Sequence, residues 1–282
     1  MRLRRMTDED VETVNDLTVA TFEDLSRRSG EPPGERPPAD AAYVRLRRLL
    51  ASDPDGCWVA EEDGAVAGAA LALLREGVWG LSLLVVRPDM QSRGLGGALL
   101  DRTLAYADGA RGGIILSSSD ARAQRVYGRA GFARHPTSVA TGSPRGVLAA
   151  PEVRRFTDAD HPAAASIGRA VRGAAHGADL DALAAAGCEL LAYPGRGYAA
   201  HRGGAVKVLA AADEEAAAAL LRTVLARMPA DAEAEVEWLT PSQQWAIDVV
   251  QAAGLDVRPY GALFLRGETG SFRPYLPGGA YL

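Results

Sequence analysis

The stretch Leu81-Ser82-Leu83-Leu84-Val85-Val86-Arg87-Pro88-Asp89-Met90-Gln91-Ser92-Arg93-Gly94-Leu95-Gly96-Gly97-Ala98-Leu99-Leu100 joins an apolar run, a proline stop, a glycine-rich turn and a helical stripe. Glycines at 94, 96 and 97 keep the turn free of bulk, while Leu95, Leu99, Leu100 and Leu104 bury one helix face. The first N–H groups of such a helix have no partners within it, so with the positive end of the helix dipole they attract an anion. Arg93 adds a formal charge, and the chemistry this suits is holding a phosphate or pyrophosphate. The same turn also serves as a plain helix cap, and by itself it does not decide between the two. A dinucleotide site needs G-x-G-x-x-G and an acid at the next strand end, and neither is clear here.

A second candidate is Tyr127, in a helix whose apolar stripe runs Ala123, Val126, Tyr127 and Ala130 before Gly131-Phe132. A phenol at that spacing is either a core aromatic or a proton donor. Acidic candidates for a base, Glu23, Asp24, Glu61 and Glu76, are scattered. His135, His161, His176 and His201 stand without a Ser, Cys or metal-ligand constellation. Cys57 and Cys188 lie far apart, so no disulfide framework, zinc site or other metal is expected.

The elements that must place these groups repeat. Leu3-Arg4-Arg5-Met6-Thr7-Asp8-Glu9-Asp10 returns as Val153-Arg154-Arg155-Phe156-Thr157-Asp158-Ala159-Asp160, each a short strand leading through a Thr/Asp cap into a helix. The helix of Tyr127 returns as Ala246, Val249, Val250 and Ala253 before Gly254-Leu255, which sets Val250 opposite Tyr127. The first half reads as a strand, two helices to about Leu50, strands near Trp58–Glu62, Ala65–Leu74 and Val78–Arg87, a helix from Leu95, a strand at Gly113–Ser117, and the Tyr127 helix. The second reads as strands near Glu189–Tyr193, Gly197–Arg202 and Ala205–Ala211, helices Glu214–Met228 and Ser242–Ala253, and a strand Glu233–Leu239. Pro136 to Pro151, rich in Gly, Ser and Pro, divides the halves. Glu31 to Ala39, with four prolines, reads as a surface loop, either an active-site lid or a connector.

Composition narrows the class. In 282 residues, 48% hydrophobic and 24% charged describe a globular α/β protein large enough for two domains. A net charge of −5 without a basic stripe argues against a nucleic-acid partner. Met1 to Arg5 lead into acids and not into an apolar run, so neither a signal peptide nor a spanning segment is expected, and a cytoplasmic enzyme is.

Val86-x-Pro88 followed by Gln91-x-x-Gly94-x-Gly96 resembles the acetyl-CoA pyrophosphate signature of the GNAT acetyltransferases. Asp120-Ala121-Arg122-Ala123-Gln124-Arg125-Val126-Tyr127 with Gly131-Phe132 resembles the family's second landmark, where Asn usually stands in place of Asp120. The resemblance covers most of residues 1–135 and implies a mixed sheet splayed at the strand ending in Val86. It implies acetyl-CoA as cosubstrate, held along Leu84, Val85, Val86, Gln91, Ser92, Arg93, Gly94, Leu95, Gly96, Gly97 and Asp120. The backbone around Val86 would serve the oxyanion and Tyr127 would be the acid.

The expected architecture is two tandem GNAT folds of mixed sheets flanked by helices: an acetyl-CoA domain at 1–148, a degenerate copy at 151–267, and a tail, 268–282, docked on the body. The copy's junction, Ala210 to Ala216, has no glycine and sets Asp213, Glu214 and Glu215 at the helix start, which disfavours pyrophosphate. The expected function is N-acetylation of a primary amine of a small molecule by direct attack, without nucleic acid or membrane; a homodimer is admitted. The alternative is a non-catalytic acyl-CoA sensor or partner-binding protein. In enhanced-intracellular-survival-type relatives the terminal carboxylate serves as the base, a role that this resemblance would offer to the carboxylate of Leu282.

Overall fold

The computed structural model describes residues 1–30, 38–229 and 232–282. The first half runs β1 (Arg2–Arg5), α1 (Val11–Ser29), α2 (Ala39–Ser52), β2 (Cys57–Glu62), β3 (Ala65–Arg75), β4 (Val78–Val86), α3 (Leu95–Ala105), β5 (Gly112–Ser117), α4 (Ala121–Arg129) and β6 (Ala133–Gly142). The second runs β7 (Arg154–Arg155), α5 (His161–Val171), α6 (Ala178–Ala185), β8 (Glu189–Tyr193), β9 (Gly197–Arg202), β10 (Ala205–Ala211), α7 (Glu214–Ala226), β11 (Ala234–Leu239), α8 (Gln244–Ala252), β12 (Asp256–Gly267) and β13 (Tyr275–Leu276). The proline-rich segment read as a lid or connector lies, over 31–37, outside the described residues.

Each half opens on the same local device. Thr7 N–H donates to the Asp10 carboxylate at 2.8 Å, and Arg4 clamps that carboxylate with two bonds of 2.7 Å. Thr157, Asp160 and Arg154 repeat this at 2.8, 2.7 and 2.8 Å. The box holds the turn that aims α1 and α5 across the sheet. Val11, Val14 and Leu17 of α1 and Leu46 and Leu49 of α2 then bury themselves at helical spacing.

All the strands form one sheet, ordered β1-β2-β3-β4-β5-β12-β6-β11-β10-β9-β8-β7, with β13 added on β10. The order reads the same from both ends, because the halves exchange their last long strands. β12 pairs antiparallel with β5, Phe264 opposite Ile115, while β6 pairs with β11, and β6 and β12 pair with each other down the middle. The segment read as a divider therefore begins as strand: Pro136 to Gly142 belong to β6 and lie inside the sheet. One core gathers α1, α2, α5, α6 and the tail residues Phe272, Tyr275, Tyr281 and Leu282, so the two halves bury apolar surface in common.

Candidate active site

β4 and β5 run parallel and pair from Val78↔Gly112 to Leu81↔Ile115, and no further. Beyond Leu81 the strands splay. On its other side β4 stays paired with β3, Val85 opposite Ala69, and Arg87 N–H donates to Ala67 O at 2.9 Å. Antiparallel ladders alternate the side to which backbone groups turn, so Leu84 and Val86 aim their N–H groups into the gap while Val85 spends its own on β3. Val85 thus has its amide committed within the sheet, unlike Leu84 and Val86. The Val86 carbonyl, also turned to the gap, accepts from Gln91 Nε2 at 2.9 Å and from Thr21 Oγ1 at 3.4 Å. Gln91 thereby ties the glycine-rich turn back to the strand end.

The turn places its donors outward. Ser92 and Gly94 both lie in the left-handed region, with φ 64° and 86°, and Gly94 is the N-cap of α3 with no side-chain cap. A non-glycine residue at φ 64° stores backbone strain, a feature that collects at ligand clamps. Leu95 is buried beside Val86 and Met90, so it offers its backbone only, whereas Ser92, Arg93 and Gly94 are exposed. Arg93 makes no ion pair with any described residue, and no acid stands in the first turn of α3. The result is an uncapped helix start beside a free guanidinium, a preformed place for an anion.

Tyr127 is 5% exposed and packs edge-on to Phe264 at 5.4 Å between ring centroids. Phe264 belongs to β12, so the second half supplies the wall behind this tyrosine. Burial, with Asp120 adding to it, pushes the phenol well above its ordinary value, and the hydroxyl has no hydrogen-bond partner among the described residues. It keeps its proton throughout the neutral range.

Asp120 caps α4, accepting from Arg122 N at 2.8 Å, and its carboxylate is bound by Arg122 at 2.6 Å and approached by Arg28 of α1 at 3.6 Å. Burial alone would raise this carboxyl, but the Arg122 bonds outweigh it and hold the group below the usual carboxylate range. The acid that replaces the family's Asn is therefore neutralised by two guanidiniums. Cys57, buried, has its thiol pushed up to about 12 by burial and by Asp53, and Cys188 is a buried free thiol. Among the described residues, no group of three or more His, Cys, Asp or Glu could hold a metal ion, and no helix is long and apolar enough to cross a membrane.

The same junction in the second half is occupied. β10 and β11 also run parallel and also part early, pairing only at Ala205↔Glu235. Into that gap comes β13: Leu276 pairs with Leu209, Tyr275 with Ala210, and Ala211 N–H donates to Pro274 O at 3.3 Å. α7 begins with its own cap, Asp213 accepting from Ala216 N at 2.9 Å, and the acids of its first turn are engaged by Arg196 and Arg273. Val250, fully buried, holds the position that Tyr127 holds in α4.

Sequence reasoning missed the tail's role at β4. Ser82 Oγ donates to Ala280 O at 2.7 Å, and a Cβ on Gly80 would meet Leu282 Cδ1 at 2.2 Å, so glycine there is what seats the last residue on the strand. The Leu282 main-chain oxygen faces His176 Nε2 at 3.2 Å.

Residues 19–132 match the acetyltransferase (GNAT) family, a span that contains the splayed strand, the glycine-rich turn and Tyr127. Among curated proteins none matches the chain. Solved structures share its fold over nearly its whole length. A candidate acetyltransferase from Pyrococcus horikoshii superposes with a TM-score of 0.78 at 16% identity, covering 100% of this chain and 95% of its own. A GCN5-related N-acetyltransferase from Sphaerobacter thermophilus gives 0.59 at 16% identity, covering 99% and 98%. A tandem GNAT protein from the clavulanic acid biosynthesis pathway gives 0.61 at 16% identity, covering 94% and 98%. The first half of this chain thus holds the segment that matches the acetyltransferase (GNAT) family, and the fold of the whole is shared with these solved structures.

Proposed function

We propose that the first half transfers the acetyl group of acetyl-CoA to a primary amine of a small molecule by direct attack of the amine on the thioester. The observation that carries this reading is the gap beyond Leu81, bordered by the Leu84 and Val86 amides and ending at the uncapped start of α3. A pyrophosphate fits the amides around Gly94, Leu95, Gly96 and Gly97 with Arg93 beside it, and an extended pantetheine arm fits the gap as an added strand.

In the reaction the amine nitrogen bonds to the acetyl carbon, the C–S bond breaks with its electron pair going to sulfur, and the proton lost from nitrogen passes to water. The developing oxyanion lies against the Leu84 or Val86 N–H, a kind of donor worth roughly 10²–10³ in rate. Tyr127 holds its proton at neutral pH and, as a weaker acid than an ordinary thiol of pKa about 8.5, serves the departing thiolate chiefly as a hydrogen-bond donor. The second half binds no cofactor in this reading: β13 fills its gap, Asp213 caps its helix, and Val250 has no proton to give.

The test is acetyl-CoA turnover by the full chain over a panel of small amines, following thiol release and the mass of the acceptor. Thiol release that matches mole for mole a gain of one acetyl group on the amine supports the reading; binding of acetyl-CoA without turnover of any amine contradicts it.

A further inference from the structure

On the α2 side of β4 lies a set of cationic side chains with few carboxylates among the described residues. Arg45 and Arg48 stand three residues apart on α2 and so share a face. Arg45 Nη1 reaches the bulge of β4, where it meets Ser82 O at 3.3 Å and Ser82 Oγ at 3.4 Å, and no described carboxylate lies within ion-pair reach of it. Arg48 Nε is buried with no partner, and its Nη2 stands 3.9 Å from Asp179. That carboxylate is already clamped by Arg75 at 2.7 and 2.9 Å, and Asp53 is likewise taken by Arg75 and Tyr106. The Tyr281 hydroxyl, from the tail, is buried with no partner either, and the charges of Arg45, Arg48, Arg75 and Asp179 all act on it. Arg172, fully buried, ends on the carbonyls of Ala175 and Tyr281. Around the tail, then, the described acidic side chains that face these arginines are Asp53 and Asp179, both held by Arg75.

Arg45 and Arg48 are half-buried and Arg172 is fully buried, and guanidiniums removed from water without an anion of their own are costly, as are the Tyr281 hydroxyl and Arg48 Nε left unpaired beside them. A ligand that brings an anion would relieve all of them together. The place is specific: Ser82, where Arg45 and the tail meet, precedes Leu84 by two residues, about 7 Å along an extended strand. On the proposed acetyl transfer, on which this inference rests, that puts the anion a short distance from the attacking nitrogen.

We infer that Arg45, with Arg48 and the Tyr281 hydroxyl, binds the carboxylate of the acceptor, which is a free amino acid acetylated on its amine. Arg45 is the principal contact, because it lies nearest the splayed strand and has no carboxylate of its own. A planar fork of donors suits a carboxylate. The excess positive charge also disfavours a second ammonium, so simple diamines are poor acceptors.

The experiment measures thiol release from acetyl-CoA by the wild-type chain with the standard L-amino acids, each against its own carboxamide, together with aminoalkyl phosphates and aliphatic diamines. The expected result is a kcat/KM for the preferred acid about 10–100-fold above that of its carboxamide, the range for a hydrogen-bonded charge. Arg45→Gln should raise KM for the acid by a similar factor, with Arg45→Lys recovering part of the loss. Carboxamides, phosphates or diamines turned over as fast as the acids by the wild type would overturn the carboxylate assignment and leave acyl transfer standing. No thiol release with any acceptor would overturn acyl transfer, and this inference with it. The wild-type comparison needs no variant, so a poorly folded Arg45→Gln protein does not protect the idea.

Discussion

The two halves of this chain share a frame and differ in what fills it. Both begin with the same Arg-Thr-Asp box, both set a strand parallel to its neighbour and let the pair part, and both follow with a helix whose start faces the gap. In the first half that start is glycine, uncapped, beside an unpaired Arg93; in the second it is Asp213, capping itself, with Glu214 and Glu215 behind it. One gap has no strand in it beyond Leu81, while the other holds β13. On the proposed function, competence to hold an anionic, extended ligand therefore resides in a few side chains and a tail segment, and the shared backbone permits either outcome.

The largest expected effect of breaking the comparison is at the exchanged strand. Phe264→Ala removes the ring that backs Tyr127 and leaves a cavity inside the first half from a residue of the second. It should cost about 3–5 kcal/mol of stability in denaturant unfolding, and it should lower turnover. Next comes Tyr127→Phe, expected to reduce kcat by about 10²-fold with acetyl-CoA affinity unchanged, whereas Val250→Ala should leave kcat as it was. An unchanged kcat in Tyr127→Phe would make that tyrosine a core aromatic and nothing more.

A subtler effect is the pH profile. Burial raises the Tyr127 phenol, so its proton is fully present below its ordinary value near 10 and is lost only above it. The rate should climb as the acceptor amine deprotonates and show no falling limb up to about pH 10. A fall between about pH 8 and 9 would assign the acid role to another group.

The smallest effect concerns what the halves share. Asp160 is held at about 2 by Arg154, despite burial, and Asp10 is lowered by Arg4 in the same way. Both are depressed below the unfolded value, so each contributes stability above about pH 4 that is lost as pH falls through its folded value, about 2 for Asp160. Asp10→Asn and Asp160→Asn should weaken acid resistance about equally, measured as the midpoint of acid unfolding. Unequal midpoints would show that the two boxes do not carry the same load.

Much of this was legible in the residues, and the illegible parts have physical reasons. Ala205–Ala211 read directly because Val206 and Val208 alternate with Lys207 after the Gly203-Gly204 turn, and Gly197–Arg202 because it lies between that turn and Pro194-Gly195. β6 and β12 did not, because Pro136, Thr137, Ser138 and Gly142 in one and Pro259 and Gly261 in the other imitate loop composition, and the register shifts where Pro259 and Gly261 fall. Those two strands are the ones exchanged between halves, so missing them hid the shared sheet and Phe264 together. The glycine-rich turn and Tyr127 were visible through local spacing. Arg45 and Tyr281 were not, since they meet across more than two hundred residues of chain and nothing in either neighbourhood marks the other. At Asp120 the sequence showed an acid in an unfavourable place; Arg122, two positions on, was the signal that it is neutralised.

Calorimetric titration of acetyl-CoA tests the contrast between the halves most directly, using the wild type, Gly94→Glu and Glu214→Gln. Gly94→Glu sets bulk and negative charge at a left-handed, uncapped helix start. The account predicts one site per chain in the wild type and in Glu214→Gln, and none in Gly94→Glu. Two sites in the wild type, or one that survives Gly94→Glu, would contradict it.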